Sequence, residues 1–487
     1  MIIDLNLIAA DKLFKKYDVC ICGAGPAGIT IARKLAQAGK SVALLEGGGF
    51  EFSEQSQDSY AGQSIGIQYY EGLKYNRLRF FGGTSNHWAG RCSFYDDVDF
   101  ERRSYFELPG WPIQRQEMMR HFDEAAEILD ISGKGFSESQ KQKWAGSNFR
   151  FSEYTLSKPT RFGQKYLNEV KQSANIDLYI HANLTDVILT GSHDEVAHYE
   201  VTNYQEQTFR FFAHDFVLAL GGIENARLLL NCNKQIKAGI GNQADMVGRC
   251  FMEHLNVQLG RFVADDNVIW KSGAIQLNPS NELIRKLNIG NSVLNFEVSS
   301  EIVSYGRLGK LKTAIKEIVC KSDSITDFSR RLSDFNCRGD GVISTLMEQV
   351  PNLNSRVKLG NDKDHFGLRR IVLDWQLADQ DYKTMHLLGI EVAKEMAKAG
   401  LARVRLNKFV LEKSKDVPEV GAHAHHLGTT RMSADSKFGV VDRNSRIHGI
   451  RNMYVAGSSV FSTGGGCNPT FTIVMLALRL AGYLNTK

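Results

Sequence analysis

Residues 17–28, YDVCICGAGPAG, constrain the fold more than any other stretch. Residues 17–22 read as a buried strand that runs into Gly23-Ala24-Gly25-Pro26-Ala27-Gly28. An apolar-periodic segment, 29–38, follows, and a second strand, 41–45, ends at Glu46. Strand, glycine turn, helix and strand is the context in which G-x-G-x-x-G binds a dinucleotide. Gly23 is expected to permit the tight turn, and Gly25 to let a pyrophosphate approach the backbone. Gly28 is expected to let helix and strand pack. Pro26 and Ala27, within the same turn, are expected to contact the cofactor, and the N-terminus of the helix that follows meets the phosphates. Glu46 is placed to accept hydrogen bonds from ribose hydroxyls. The pattern predicts an ADP-containing cofactor and does not separate FAD from NAD.

The C-terminal stretch, 421–487, carries the polar chemistry. It reads GAHAHHLGTTRM, then GVVD, then RNMYVAGSSVFSTGGGCNPTFTIVMLALRLAGYL. His423, His425 and His426 precede Gly428-Thr429. Residues 454–456 read as a short buried strand, followed by Gly457. Asn468-Pro469 comes after three glycines. Asn is a favoured N-cap and Pro a favoured first helical residue, so 470–484 is predicted to be a buried helix. The partial positive charge of its N-terminus would point at whatever precedes Asn468. A strand, a glycine-rich turn and a helix N-terminus suit an anionic or polarisable cofactor. Three histidines within four residues suggest a metal site, but no Cys or carboxylate of ligand spacing lies beside them, so no metal is expected. Asn468 can serve as a cap through its amide oxygen while its NH2 group donates to a substrate.

HHLGTTRM, GVVD, YVAGSSVF and GCNPTFT, in that order and spacing, resemble the glucose–methanol–choline (GMC) flavoprotein oxidoreductases. The resemblance implies FAD as the cofactor, His425 as the catalytic base and Asn468 as its partner. His423 and His426 then read as structural. Pro469 and Thr470, at the helix start, join the expected cofactor contacts with Gly457. Residues 79–88, RFFGGTSNHW, resemble the flavin loop of the family, most closely in the pyranose oxidase branch. There a His before Trp carries the flavin covalently. His87, before Trp88, matches it, while Asn86 stands where that branch usually has Thr. A bonded flavin and a His87 that only packs beside the ring both stay open. Gly82, Gly83 and Thr84 let the backbone lie against a planar ring.

Segments 184–190, 196–202 and 208–212 alternate like a small antiparallel meander. A buried strand, 216–220, then leads into Gly221-Gly222-Ile223-Glu224-Asn225-Ala226-Arg227, which resembles the flavoprotein return to the main sheet and adds Gly221 to the cofactor contacts. Residues 247–254, VGRCFMEH, also resemble a family segment, with His254 either lining the active site or serving as an ordinary structural His. A helix is expected over 115–129.

The resulting expectation is an α/β fold. A Rossmann-like FAD domain is assembled from 1–108, 159–255 and 417–487. An antiparallel-sheet substrate domain is formed by 109–158 and 256–416. A basic helix over 304–332 reads as a lid, an interface or a solvated face. The chain's length of 487 residues suits two or three domains, and a net charge of +5 argues for no nucleic-acid partner. Eight scattered cysteines without C-x-x-C spacing point to reduced thiols in a cytoplasmic setting. No signal-peptide core and no apolar run of about 20 residues is seen, so no membrane span is expected. The implied reaction oxidises a CH–OH group, preferably of a sugar or glycoside, with oxygen or another electron acceptor as reoxidant. A non-sugar alcohol, a non-redox lyase or isomerase, and a silent binding module are the alternatives.

Overall fold

Tyr17–Cys22 lies inside a parallel sheet whose order is Ile2–Asp4, Ile176–Ile180, Val42–Leu45, Tyr17–Cys22, Ala213–Leu218 and Met453–Val455. This computed structural model describes residues 1–9, 15–69, 72–132, 147–264, 275–298 and 340–487, with Val319 and Ile325. The expected helix over 304–332 therefore lies outside the described residues, apart from those two positions. The central strands are near-continuous apolar runs because a parallel sheet is covered on both faces. Val19, Ile21, Val42, Leu44, Phe216 and Val217 are all buried.

The helix Pro26–Gln37 starts directly after the glycine turn, with Pro26 in the first turn and Gly25 at the cap. It packs against the last helix, Thr470–Thr486, so the two ends of the chain close one layer of the domain. The meander forms as Asn183–Leu189, Val196–Thr202 and Thr208–Phe211. Three-residue strand Met453–Val455 pairs with Ala213–Leu218, and so Gly221 and Gly457 follow the carboxyl ends of neighbouring strands.

A second, antiparallel sheet runs in the order Ala402–Leu406, Gln258–Ala264, Asp340–Glu348, Ser292–Val298, Ile275–Pro279 and Phe149–Phe151. Each sheet has its own apolar cluster. One contains Ile21, Leu44, Val217 and Val455, the other Leu259, Leu294, Phe296 and Trp375. The chain is thus α/β with a parallel and an antiparallel layer. His254–Asn256 joins the second sheet through Asp340–Glu348 and pairs on its other side with Gly421–Ala422. That pairing carries the antiparallel sheet to within three residues of His425. The strand Gly62–Gly66 pairs with Arg369–Trp375, so the two expected domains also share a sheet.

One expected element divides. The helix predicted over 115–129 is two, Arg115–Met119 and Phe122–Ile128, because His121 leaves the helical region at φ −108 and ψ 7. No described helix is long and apolar enough to cross a membrane. The six described cysteines are free and buried.

Candidate active site

The carboxyl ends of the parallel strands open onto a cavity of about 720 Å³, within the range of about 300–1,000 Å³ usual for ligand pockets. The fingerprint forms one wall. Gly23, Gly25, Pro26 and Ala27 line it, as does Glu46. Glu46 is buried, and its two oxygens accept from the backbone N–H groups of Ala24 at 3.1 Å and Gly48 at 3.0 Å. Each carboxylate oxygen keeps a second lone pair for a ribose hydroxyl.

The three glycines have different reasons to be glycine. Gly23 has φ +105, and a Cβ there would lie 2.4 Å from the Ala219 carbonyl oxygen. A Cβ on Gly28 would lie 1.9 Å from the Gly23 oxygen. Both are required by the fold itself, and Gly28 does not line the cavity. Gly25 has an ordinary φ of −88, and a Cβ there would meet nothing within 4 Å. It opens onto empty space in the cavity wall, at the N-terminus of a helix, which is where a pyrophosphate fits.

The loop 79–88 lies against the fingerprint, where a Cβ on Gly83 would come 3.2 Å from the Gly25 Cα, and it lines the cavity through Gly83, Thr84, His87 and Trp88. Gly82 and Asn86 do not line it. They hold the loop: Gly82 N–H donates to the Ala24 oxygen at 2.8 Å, and Asn86 Nδ2 donates to the Phe81 oxygen at 3.0 Å. Trp88 Nε1 donates to the Thr160 oxygen at 2.9 Å. Asn76, which no motif singled out, lines the same cavity while 5% exposed, and neither polar atom of its amide has a partner among the described residues. A buried orphaned amide in a cavity wall is a place for a bound polar ligand. Gly221 and Gly457 complete this part of the wall.

His425, Asn468, Pro469 and Thr470 line the far end. The backbone of His426 is pressed against the start of the helix Gly221–Asn231 and the turn that follows Met453–Val455. A Cβ on Gly222 would lie 2.1 Å from the His426 oxygen, and Ser458 Oγ donates to that oxygen at 2.6 Å. Ala424 takes a left-handed φ of 57, a conformation that is uncommon for a residue with a side chain. The turn at 424 directs His425, half-buried, into the cavity wall.

His425 Nε2 lies 3.2 Å from Asn468 Nδ2, and His425 Nδ1 lies 3.0 Å from His254 Nδ1. His423 stacks on His425 with centroids 5.9 Å apart. Burial pushes His425 well below the ordinary histidine value, and the neighbouring His254, His423 and His426 push the same way. His425 is therefore neutral near pH 7. Glu253, buried under the same histidines, is pushed up to about 7 by burial, against the hydrogen bonds it accepts. Those come from Tyr69 Oη and the backbone N–H groups of His254 and His423.

Asn468 does not cap the last helix. The helix begins at Thr470 with Pro469 in the cap position, and no side chain caps it. The amide faces His425 instead, which corrects the expected double role. His254 is buried and held by backbone carbonyls, as a structural His would be, and its other ring nitrogen touches His425. It does not line the cavity. The family-like segment 247–254 pointed toward the site, but the contact with His425 itself depends on the pairing of 254–256 with 421–422. Asn295 and Leu346, from the antiparallel sheet, line the cavity too and carried no motif. Among the described residues no cluster of His, Cys, Asp and Glu is arranged to hold a metal ion.

The loop carrying Asn468 is held from beneath. Glu348 accepts from the Gly465 N–H at 3.0 Å and makes a bidentate pair with Arg103, both contacts 2.6 Å, with both side chains buried. Arg103 and Glu348 were not legible as site residues, since neither sits in a motif.

A family model described as GMC oxidoreductase matches residues 351–477, and one described as FAD dependent oxidoreductase matches 18–238. The 2-methyl-1,2-propanediol dehydrogenase of Mycolicibacterium austroafricanum is 23% identical over an alignment of 540 residues, covering 96% of this chain and 95% of that one. The C-glycoside 3-oxidase of Microbacterium trichothecenolyticum is 35% identical over 128 residues, 26% of this chain and 23% of that one. Among solved structures, the formate oxidase of Aspergillus oryzae aligns with a TM-score of 0.61 at 16% identity, over 97% of this chain and 98% of that one. At that identity the likeness shows the fold alone.

Proposed function

We propose that this chain, which belongs to the GMC family of FAD-dependent oxidoreductases, oxidises a CH–OH group of a sugar or glycoside to a carbonyl, with His425 as base. FAD, when bound, supplies the acceptor for the hydride that leaves the carbon. The observation that carries the reading is the 3.2 Å approach of Asn468 Nδ2 to His425 Nε2 in the cavity wall. Two groups that close can both reach one hydroxyl oxygen.

An alcohol is a weak acid near neutral pH, so its proton needs a base and its developing alkoxide needs a donor. His425, neutral, takes the hydroxyl proton at Nε2. Asn468 Nδ2 donates to the same oxygen as its negative charge grows. The helix Thr470–Thr486 adds the positive end of its dipole to that side of the cavity. The ADP half of the cofactor falls to Gly25, Glu46 and the start of Pro26–Gln37, and its ring to the wall formed by Gly83, Thr84, His87 and Trp88.

The sugar or glycoside class is supported by the local likeness to a C-glycoside 3-oxidase. The near full-length likeness to a propanediol dehydrogenase favours a small alcohol as the second reading. Anaerobic mixing of the FAD-bound protein with panels of sugars, glycosides and small diols decides between them. Flavin bleaching by the first two supports the proposal. Bleaching by diols alone favours the second, and product without bleaching points to a lyase or isomerase. His87 lines the cavity. Acid precipitation tests its role: colour in the pellet marks a bonded flavin, and colour in the supernatant a His87 that only packs.

Two smaller effects follow. Asn468→Ala should slow flavin reduction by about tenfold, the worth of one hydrogen bond of ~1.4 kcal/mol. Its melting temperature should stay close to the parent's, because no helix cap is lost. The second effect concerns pH. Since burial and three neighbouring histidines hold His425 below the ordinary value of 6.5, flavin reduction should be flat with pH above 6.5 and fall only on further acidification. Glu253, pushed up to about 7, titrates in that range, so a rate that climbs between pH 7 and 8 in Glu253→Gln as well as in the parent would contradict this assignment of the base.

A further inference from the structure

We propose that His254 is a positioning residue for the reaction proposed above: it accepts the Nδ1–H of His425 and so keeps Nε2, the nitrogen beside Asn468, free of a hydrogen. The inference rests on the reading of His425 as the base. It comes from counting donors and acceptors along one chain of contacts.

His254 is fully buried, on the short strand His254–Asn256. Its Nε2 lies 2.9 Å from the Gly465 oxygen and 3.1 Å from the Gly464 oxygen. Carbonyl oxygens only accept, so Nε2 carries the hydrogen. A neutral imidazole has one N–H, which leaves Nδ1 of His254 as a bare lone pair. That lone pair is 3.0 Å from His425 Nδ1. Two lone pairs do not bond, so His425 carries its hydrogen at Nδ1. Its Nε2 is then the acceptor for Asn468 Nδ2, 3.2 Å away. Only in this tautomer can His425 take a proton from a hydroxyl lying between Nε2 and Asn468.

The premise that His254 is neutral is supported by its surroundings. Burial pushes it down to about 4. The two nearby carboxylates are otherwise engaged. Glu253 accepts from Tyr69 Oη and from the backbone of His254 and His423. Glu348 is bound to Arg103 and to the backbone N–H groups of Asn291 and Gly465. The Gly465 contact also fixes the carbonyls that define the orientation of His254. The polarity of the chain is thus set from the Arg103–Glu348 pair, through the peptide at Gly465, to the His254 ring and on to His425.

The test compares two substitutions of nearly equal size. His254→Asn keeps an oxygen acceptor where Nδ1 was, and His254→Leu does not. Flavin reduction in His254→Asn is expected within about threefold of the parent, and in His254→Leu slower by about tenfold or more, by analogy with the groups that orient metal-bound histidines. Equal rates in the two variants, both fast or both slow, would overturn the proposal, since a structural role would move them together. A second measurement needs no substitution at position 254. In the FAD-bound protein labelled with 15N-histidine, the resonance that disappears in His425→Gln should report a hydrogen at Nδ1. A hydrogen at Nε2 would overturn the proposal even if both variants behaved as expected. If His425→Ala reduces its flavin at the parent rate, the base assignment fails, and the tautomer measurement still decides the contact.

Discussion

His425→Ala is expected to slow anaerobic flavin reduction by about 10²–10⁴-fold, the size of a positioned general base, while FAD stays bound. The first half follows from the two partners of the ring. Asn468 at Nε2 and His254 at Nδ1 hold it in one orientation, so its loss removes the proton acceptor and leaves Asn468 to stabilise an alkoxide that has not formed. The second half follows from the distribution of the cavity wall. The groups proposed for the ADP half, Glu46, Gly25 and the start of Pro26–Gln37, are on other elements. Stopped-flow absorbance with a sugar that bleaches the parent measures the rate, and the flavin spectrum of the purified variant measures retention. A variant that reduces at the parent rate would move the base to another residue, and His426, also in the cavity wall, would be next.

Gly25→Val should cost the protein its cofactor and not its fold. The position has an ordinary φ of −88, and its Cβ would meet no neighbour within 4 Å. The first carbon of the valine side chain therefore meets no steric bar in the apoprotein and points into the space in which the pyrophosphate would lie. An overlap of one or two methyl groups costs about 1–3 kcal/mol when the surroundings cannot relax. That amounts to a roughly 5- to 150-fold loss of affinity. Far-UV circular dichroism should match the parent, while flavin absorbance per mole of protein falls. Gly28→Val is the control. Its Cβ would lie 1.9 Å from the Gly23 oxygen, so it should fail to fold whether or not FAD is supplied. If Gly25→Val unfolds as well, or keeps full flavin, the separation of these two glycines is wrong.

The fingerprint was legible because its physics is local. A strand, a turn with φ +105 at Gly23 and a helix with Pro26 in its first turn are fixed by neighbours in sequence, so 17–46 could be read without the rest of the chain. The same holds for the meander, which alternation and its turn delimit. Where a local rule competes with a distant partner, the sequence reading slipped. Asn468 has the residue type of a helix cap, yet its amide goes to His425, 43 positions away. The helix needs no cap from it because Pro469 has already left its first turn without one N–H to satisfy.

Sequence alone determined the α/β class and placed His425, Asn468 and the glycine-rich turns in stretches that fold into the wall of one cavity. Tertiary structure decided which groups meet there. The orphaned amide of Asn76, the Arg103–Glu348 pair under the loop and the contact of His254 with His425 each join residues far apart in the chain. None of these has a local signature. A buried polar group is selected by the partner that satisfies it, and that partner is chosen by strand pairing, here 254–256 against 421–422. The directionality of the hydrogen bonds at His425 is set the same way, by two carbonyl oxygens at Gly464 and Gly465 that only the folded chain brings to His254.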